Sequence, residues 1–365
     1  MKILFCTTMD LQIQTFHWRT IKALHAMGHT VDAVTNGTYT MEEISHKYTV
    51  PFNRNPLHPD NLKAMKQVRT ILNENQYDII SCHSPVAGFF GRRAADGMKI
   101  KVLYTAHGFH FWKGAPLINQ LIYKNMEKLA AHWTDVLMTI NPEDYEAAQK
   151  FRYKPGGGPV YIPGVGIDVK AIQEAKEDKA VIRQELGLPE DAFVLYSIGE
   201  LIPRKNHRFA IDVLKEEFKA DPSLHYCIAG NGKLTDELTA YINELGLENQ
   251  IHLLGFRTDA RKLMYGMDLF LFPSYQEGLP VAVMEAMAAG LPVIATDIRG
   301  NHDLIHPEEN GILYPVDDKE AFLGAYRELR CDPGKRAAFS KQEQEDIKAC
   351  SLEVIEPQIL DLYRI

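Results

Sequence analysis

Short, nearly uncharged apolar runs alternate along the whole chain with longer segments of amphipathic character. Residues 3–6, 30–35, 78–82, 102–106 and 136–140 are such runs. Their length and bounding polar residues predict buried parallel strands. Between them, residues 15–27 and 61–75 repeat apolar positions at helical spacing. The pattern then restarts, with strands predicted over 193–198, 225–229, 251–253, 269–272 and 292–295 and helices between them. Strand–helix alternation with short turns predicts doubly wound parallel sheets.

Between the two series lies Lys154-Pro155-Gly156-Gly157-Gly158-Pro159, followed by Pro163-Gly164-Val165-Gly166. Proline and glycine at this density break regular structure and place a junction near Gly166. The expectation is an N-terminal Rossmann-like domain over 1–165 and a second over 166–345. A C-terminal helix within 346–365 is expected to rejoin the first. Two such domains facing each other across a cleft would bind ligand at the carboxyl ends of their strands.

Composition narrows the class. A chain of 365 residues with 45% hydrophobic and 24% charged residues is globular and long enough for two cores. The net charge of -8 argues against a protein that chiefly binds nucleic acid. That average hides an asymmetry: residues 1–165 carry 18 Lys+Arg against 13 Asp+Glu, a balance of +5, leaving -13 for the rest. The first half therefore suits an anionic partner. Five scattered cysteines without a CxxC pair argue against a disulfide framework or a structural zinc site and fit a reducing compartment. The first apolar run is too short for a signal-peptide core. The uncharged stretch around Glu285 is broken by Pro280, Gly290 and Pro292, too often to span a bilayer. The expectation is a cytoplasmic protein, able to touch the inner face of a membrane.

Three turns of the second half and others of the first carry candidate chemistry. Glu277-Gly278-Leu279-Pro280 leads into a helix, with Pro280 suited to its start. Amides there lack intrahelical acceptors and attract phosphate or sugar oxygens. Glu285 is the only charged side chain between Gly278 and Thr296. Buried, it needs a partner: either an arginine or the hydroxyls of a ligand such as a ribose. Arg204 and Lys205 follow the predicted strand 193–198 and could clamp a diphosphate. Ala229-Gly230-Asn231-Gly232 is neither a dinucleotide fingerprint nor a P-loop, but would let a nucleobase or phosphate approach closely. In the first half, Tyr104-Thr105-Ala106-His107-Gly108-Phe109-His110-Phe111-Trp112 follows a strand. Histidines and aromatic rings there suit sugar recognition or a lipid-facing lip. His83 follows its strand in the same way, the turn after the first strand holds Asp10 and Gln12, and residues 117–133 read as an amphipathic helix with Lys124 and Lys128.

Glu277 and Glu285, with seven residues between them inside Glu-Gly-Leu-Pro-Val-Ala-Val-Met-Glu-Ala-Met-Ala-Ala-Gly, resemble the E-x7-E signature of the retaining GT-B glycosyltransferases of family 4. The likeness covers nearly the whole chain and is greatest to bacterial enzymes of capsular and exopolysaccharide assembly. It implies that Arg204 and Lys205 hold the donor diphosphate and Glu285 the ribose, with Glu277 and the amides of Gly278 and Leu279 at the donor sugar. Asn231, Phe256 and Arg257 would lie near the base. His107 would meet the sugar, and Asp10, Gln12, His83, Phe109 and His110 would lie on the acceptor side. The catalytic set so implied is His107, Glu277, Arg204 and Lys205.

Two departures stand out: Met9-Asp10-Leu11-Gln12 replaces a common Gly-Gly loop, and Glu200 stands where many relatives have arginine. The function implied is retaining transfer of a hexose or N-acetylhexosamine from a UDP-sugar to a polyprenyl-diphosphate-linked or other carbohydrate acceptor. With no Asp-x-Asp motif, neither a metal nor another cofactor is expected. A nucleotide-sugar 2-epimerase of the same architecture and a non-catalytic nucleotide-sugar sensor are the alternatives.

Overall fold

The computed structural model describes residues 1–112 and 115–364. Lys113 and Gly114, the end of the aromatic loop, and Ile365, the end of the expected C-terminal helix, lie outside the described residues. The chain forms two compact units, one of Met1–Gly166 with the segment from Glu353 on, the other of Ile167–Leu352.

The first unit is a seven-stranded parallel sheet of β1 (Lys2–Cys6), β2 (Thr30–Thr35), β3 (His46–Thr49), β4 (Ile79–His83), β5 (Lys101–Ala106), β6 (Val136–Thr139) and β7 (Gly158–Tyr161). Its order is β3-β2-β1-β4-β5-β6-β7. The second is six-stranded: β8 (Phe193–Ile198), β9 (Leu224–Ala229), β10 (Ile251–Gly255), β11 (Leu269–Phe272), β12 (Val293–Thr296) and β13 (Ile312–Tyr314), in the order β10-β9-β8-β11-β12-β13. Strand order reverses at β1/β4 in one sheet and at β8/β11 in the other. Loops diverge to opposite faces at such a point and leave a crevice at the strands' carboxyl ends. Each unit buries its own core, from Leu4, Ile80 and Val102 in the first to Val194, Phe270 and Val293 in the second.

Three edge strands escaped the sequence pattern. His46–Thr49 is polar and half-exposed, Gly158–Tyr161 contains Pro159 within the stretch read as a break, and Ile312–Tyr314 has only three residues. An edge strand needs neither two apolar faces nor every N–H, so it tolerates such residues. The helical tail is also shorter than its periodicity suggests. Pro333–Asp346 ends in a 3-10 turn at Ile347–Cys350, and Leu352–Asp361 begins anew. In this last segment Ile355, Ile359 and Tyr363 are buried, and the Tyr363 hydroxyl meets Ser81 Oγ at 2.7 Å.

Candidate active site

In the second unit, the loops after β8 and β11 bring three charged side chains together at the switch point. After Ile198, Gly199 leaves room for the Lys205 stem, where an added Cβ would sit 3.2 Å from its Cε. A 3-10 turn, Pro203–Lys205, closes with Asn206 in a left-handed conformation (φ 55°) before the helix His207–Ala220. Arg204 Nη1 donates to Glu277 Oε1 at 2.6 Å and to the Gln276 carbonyl at 2.7 Å. Lys205 Nζ donates to the same Glu277 oxygen at 2.8 Å and stands 4.6 Å from the centre of the Phe272 ring. Burial pushes the Lys205 ammonium below its ordinary value, and the Glu277 carboxylate opposes that shift. Glu200 acts on Lys205 in the same direction as Glu277, so the two cations sit among two carboxylates.

The same loop opens the helix Val281–Ala289, preceded by Pro280 in an extended conformation. Its first amides have no intrahelical acceptor and, with the helix dipole, favour an anion. Gly300 lets this loop pass, since a Cβ there would come within 2.6 Å of the Gly278 carbonyl oxygen. Gly278 and Leu279 are half-buried. Glu285, one turn further in, is only 7% exposed, and Arg261 Nε donates to its Oε1 at 2.6 Å. Burial raises its carboxyl pKa while Arg261 holds it back. Of the two partners expected for this acid, an arginine is present, though its side chain on the helix Ala260–Leu263 is exposed rather than buried.

Beside this group lies a cavity of about 460 Å³ lined by Gly199, Glu200, Gly230, Asn231, Phe256 and Arg257. Gly230 (φ 149°) is required there, because a Cβ would stand 1.9 Å from the Gly199 carbonyl oxygen. Phe256 is 75% exposed. The Arg257 guanidinium is engaged by Asp259 at 2.6 and 2.7 Å and by Glu185 at 2.7 Å, so it shapes the wall through these ion pairs.

In the first unit, His83 at the end of β4 and His107 just past β5 meet His17, which ends a π-helical turn, Ile13–His17. His107 Nε2 lies 3.3 Å from His17 Nε2, and the His17 and His83 ring centres are 3.7 Å apart. His83 Nε2 is 3.0 Å from Ser81 Oγ. Burial depresses all three imidazoles, His107 to about 4 and the other two well below the usual range. They are neutral at pH 7.

The acceptor-side expectations need correction in two places. Phe109 is buried and stacks on Phe111 at 4.6 Å, with Phe151 beside both, so the loop turns these rings inward rather than forming a lip. Apolar burial outweighs any use on the surface. Asp10 is committed to the Thr35 hydroxyl, the Tyr39 amide (2.7 Å) and Lys47 (3.1 Å), bracing its loop rather than presenting free oxygens. His83 lies in the interior at 2% exposure. Gln12 and His110 do line a cavity of about 310 Å³, with Met9, Arg54, Ser84 and Tyr123. Arg261 and His17 were not singled out from the sequence. Arg261 lies 24 positions from Glu285 and His17 looked like one more position of a helix, so only the fold discloses either.

Two parallel α/β units with phosphate-type turns at a switch point define the GT-B class, and solved structures agree. Anabaena Alr3699/HepE in complex with UDP superposes with a TM-score of 0.78 at 21% identity, covering 99% of both chains. WaaG, a glycosyltransferase involved in lipopolysaccharide biosynthesis, gives 0.76 at 19% identity, again over 99% of each. The sequence profile "Glycosyl transferases group 1" matches residues 178–346, and "Glycosyltransferase Family 4" matches residues 13–170. A Bacillus subtilis protein named as a glycosyltransferase, EpsD, is 36% identical over 339 residues, 91% of this chain and 88% of the relative. The Escherichia coli UDP-Gal:alpha-D-GlcNAc-diphosphoundecaprenol alpha-1,3-galactosyltransferase is 32% identical over 268 residues, 72% of this chain and 69% of the relative. The chain belongs to the family 4 GT-B glycosyltransferases and is a glycosyltransferase.

Proposed function

We propose that this glycosyltransferase moves a hexose or N-acetylhexosamine from a UDP-sugar to a polyprenyl-diphosphate-linked saccharide, with retention of anomeric configuration and without a metal, in capsule or exopolysaccharide assembly. The observation that carries the reading is the Arg204–Lys205–Glu277 cluster beside a helix N-terminus at the β8/β11 switch point. Cleaving the sugar–phosphate bond builds negative charge on the departing UDP. Two cations and helix-end amides take up that charge without a cofactor. Glu277 holds the cations in place until the diphosphate arrives and then turns to the donor sugar, with the amides of Gly278 and Leu279. Glu285 accepts from the ribose hydroxyls, and Asn231, Phe256 and Arg257 border the base. His107 contributes its neutral ring to the sugar.

The acceptor hydroxyl oxygen bonds to the anomeric carbon on the face the phosphate leaves. The carbon–oxygen electron pair departs with UDP, whose phosphate oxygen takes the hydroxyl proton. Gln12 and His110 serve the acceptor. The galactosyltransferase relative carries UDP-Gal and a diphosphoundecaprenol acceptor in its name, which favours this donor and acceptor class. The protein acts in the cytoplasm, peripherally on the inner membrane face.

A panel of nucleotide sugars, scored for UDP release with and without undecaprenyl-diphosphate-linked acceptors, tests the reading. One UDP-sugar is expected to turn over only with acceptor, and Arg204→Ala should lower that rate by about 100-fold to 1,000-fold. Conversion of the donor alone to an isomeric UDP-sugar, read by chromatography of the same mixtures, would instead establish an epimerase, and UDP binding without turnover a sensor.

A further inference from the structure

We infer that His17, His83 and His107 form a binding site for a divalent transition-metal ion of the zinc type, separate from the transfer chemistry proposed above. One ligand nitrogen from each lies within 4.8 Å of the others. Three segments distant in sequence supply them: the π-turn after β1, the end of β4 and the turn after β5. Two imidazole nitrogens held about 2.0–2.1 Å from one tetrahedral zinc ion stand about 3.3–3.4 Å apart. The His17 and His107 Nε2 atoms are 3.3 Å apart.

Their ring centres, 5.1 Å apart and tilted by 55°, leave both lone pairs able to converge on one point. A shift of about 1–1.5 Å brings the third nitrogen into the same sphere. A cavity of about 20 Å³, enough for a water, adjoins His17, His83, Ser81, Thr105 and Tyr363. Among the described residues, Nδ1 of His83 is buried without a hydrogen-bond partner, a cost that metal ligation would remove. Three neutral imidazoles suit zinc, cobalt or nickel rather than magnesium or calcium, which require oxygen ligands. The fourth position would fall to water.

Occupancy ties up His107 Nε2. On the transfer reading, zinc is then a reversible inhibitor. That consequence rests on the reading above, whereas binding itself does not.

The test is a titration of chelator-treated full-length protein with Co²⁺ followed by visible absorption, and with Zn²⁺ by calorimetry. One ion per chain is expected, with the intense visible band of tetrahedral cobalt displaced by zinc. His17→Gln should weaken binding by at least about 100-fold, more than loss of an outer-shell partner costs. Circular dichroism confirms that the variant is folded; should it not fold, His83→Gln gives the same readout. Absence of the band in wild type, or affinity unchanged in either folded variant, overturns the site and leaves three tilted, packed rings. With an active donor–acceptor pair, zinc should slow wild type and a chelator restore it, while His17→Gln is insensitive. Transfer without metal binding sinks this inference alone. Metal binding without transfer sinks only the inhibition and the reading it rests on.

Discussion

Two buried carboxylates in the second unit meet opposite conditions. Glu285 has Arg261 at 2.6 Å. Glu343 is fully buried; its Oε1 accepts from the Val293 amide at 3.0 Å, and its Oε2 has no partner among the described residues. Burial, with Asp346 nearby, pushes the Glu343 carboxyl well above the ordinary glutamate range. A native-state acid with a raised pKa binds its proton more tightly than the unfolded chain does. Its stabilising effect is full below the unfolded value and lost as pH rises through the folded one. Glu343→Gln keeps an acceptor for Val293 and, like the protonated acid, places a donor on the other side. The variant should be more stable than wild type at pH 7–8 by about 1–3 kcal/mol, the scale of an unsatisfied buried group. The difference should vanish near pH 4. Denaturant titrations of both proteins across that range check this, and an equal gap at every pH would refute the assignment. The buried histidines drive stability the other way, but they are common to both proteins and cancel in the difference.

At the scale of elements, the strands with two apolar faces and the turns after β8 and β11 were legible in the sequence, because burial on both sides leaves continuous apolar runs. Glu277 and Glu285 were legible through one short motif. What pairs with them was not: Arg204 and Lys205 meet Glu277 across 72 or more positions, and local patterning carries no signal of that. The aromatic loop misled for a related reason, since Phe109 and Phe111 look alike whether they face solvent or core. The helix Leu117–Ala131 shows the converse. The buried Arg92–Glu127 pair at 2.7 Å fixes its inner face, leaving Leu117, Ile118, Leu121 and Leu129 exposed on the other, among Lys124 and Lys128. Aliphatic side chains flanked by lysines suit an anionic lipid surface, each lysine adding about 1 kcal/mol. Among the described residues no helix is long and apolar enough to cross a membrane. Flotation with vesicles containing anionic lipid should recover the wild-type protein and much less of Leu121→Glu. Equal recovery of the two would remove this helix from the membrane account.

For the molecule as a whole, charge divides along the chain. Residues 1–165 carry a balance of +5, which suits the lipid-linked acceptor of the proposed function. The acidic remainder brings Arg204 and Lys205 together on Glu277 at one switch point. Each unit has its own core, and the chain returns to the first through Ile355, Ile359 and Tyr363. The central claim is that Arg204 and Lys205 bind the diphosphate of the donor, and calorimetric titration of UDP and of uridine into wild type and the Arg204→Ala/Lys205→Ala variant tests it most directly. The account predicts that UDP binds wild type far more tightly than uridine does, and that the variant loses about 10-fold to 100-fold or more for UDP while its uridine affinity is unchanged. UDP binding equally tight in the two proteins would contradict it.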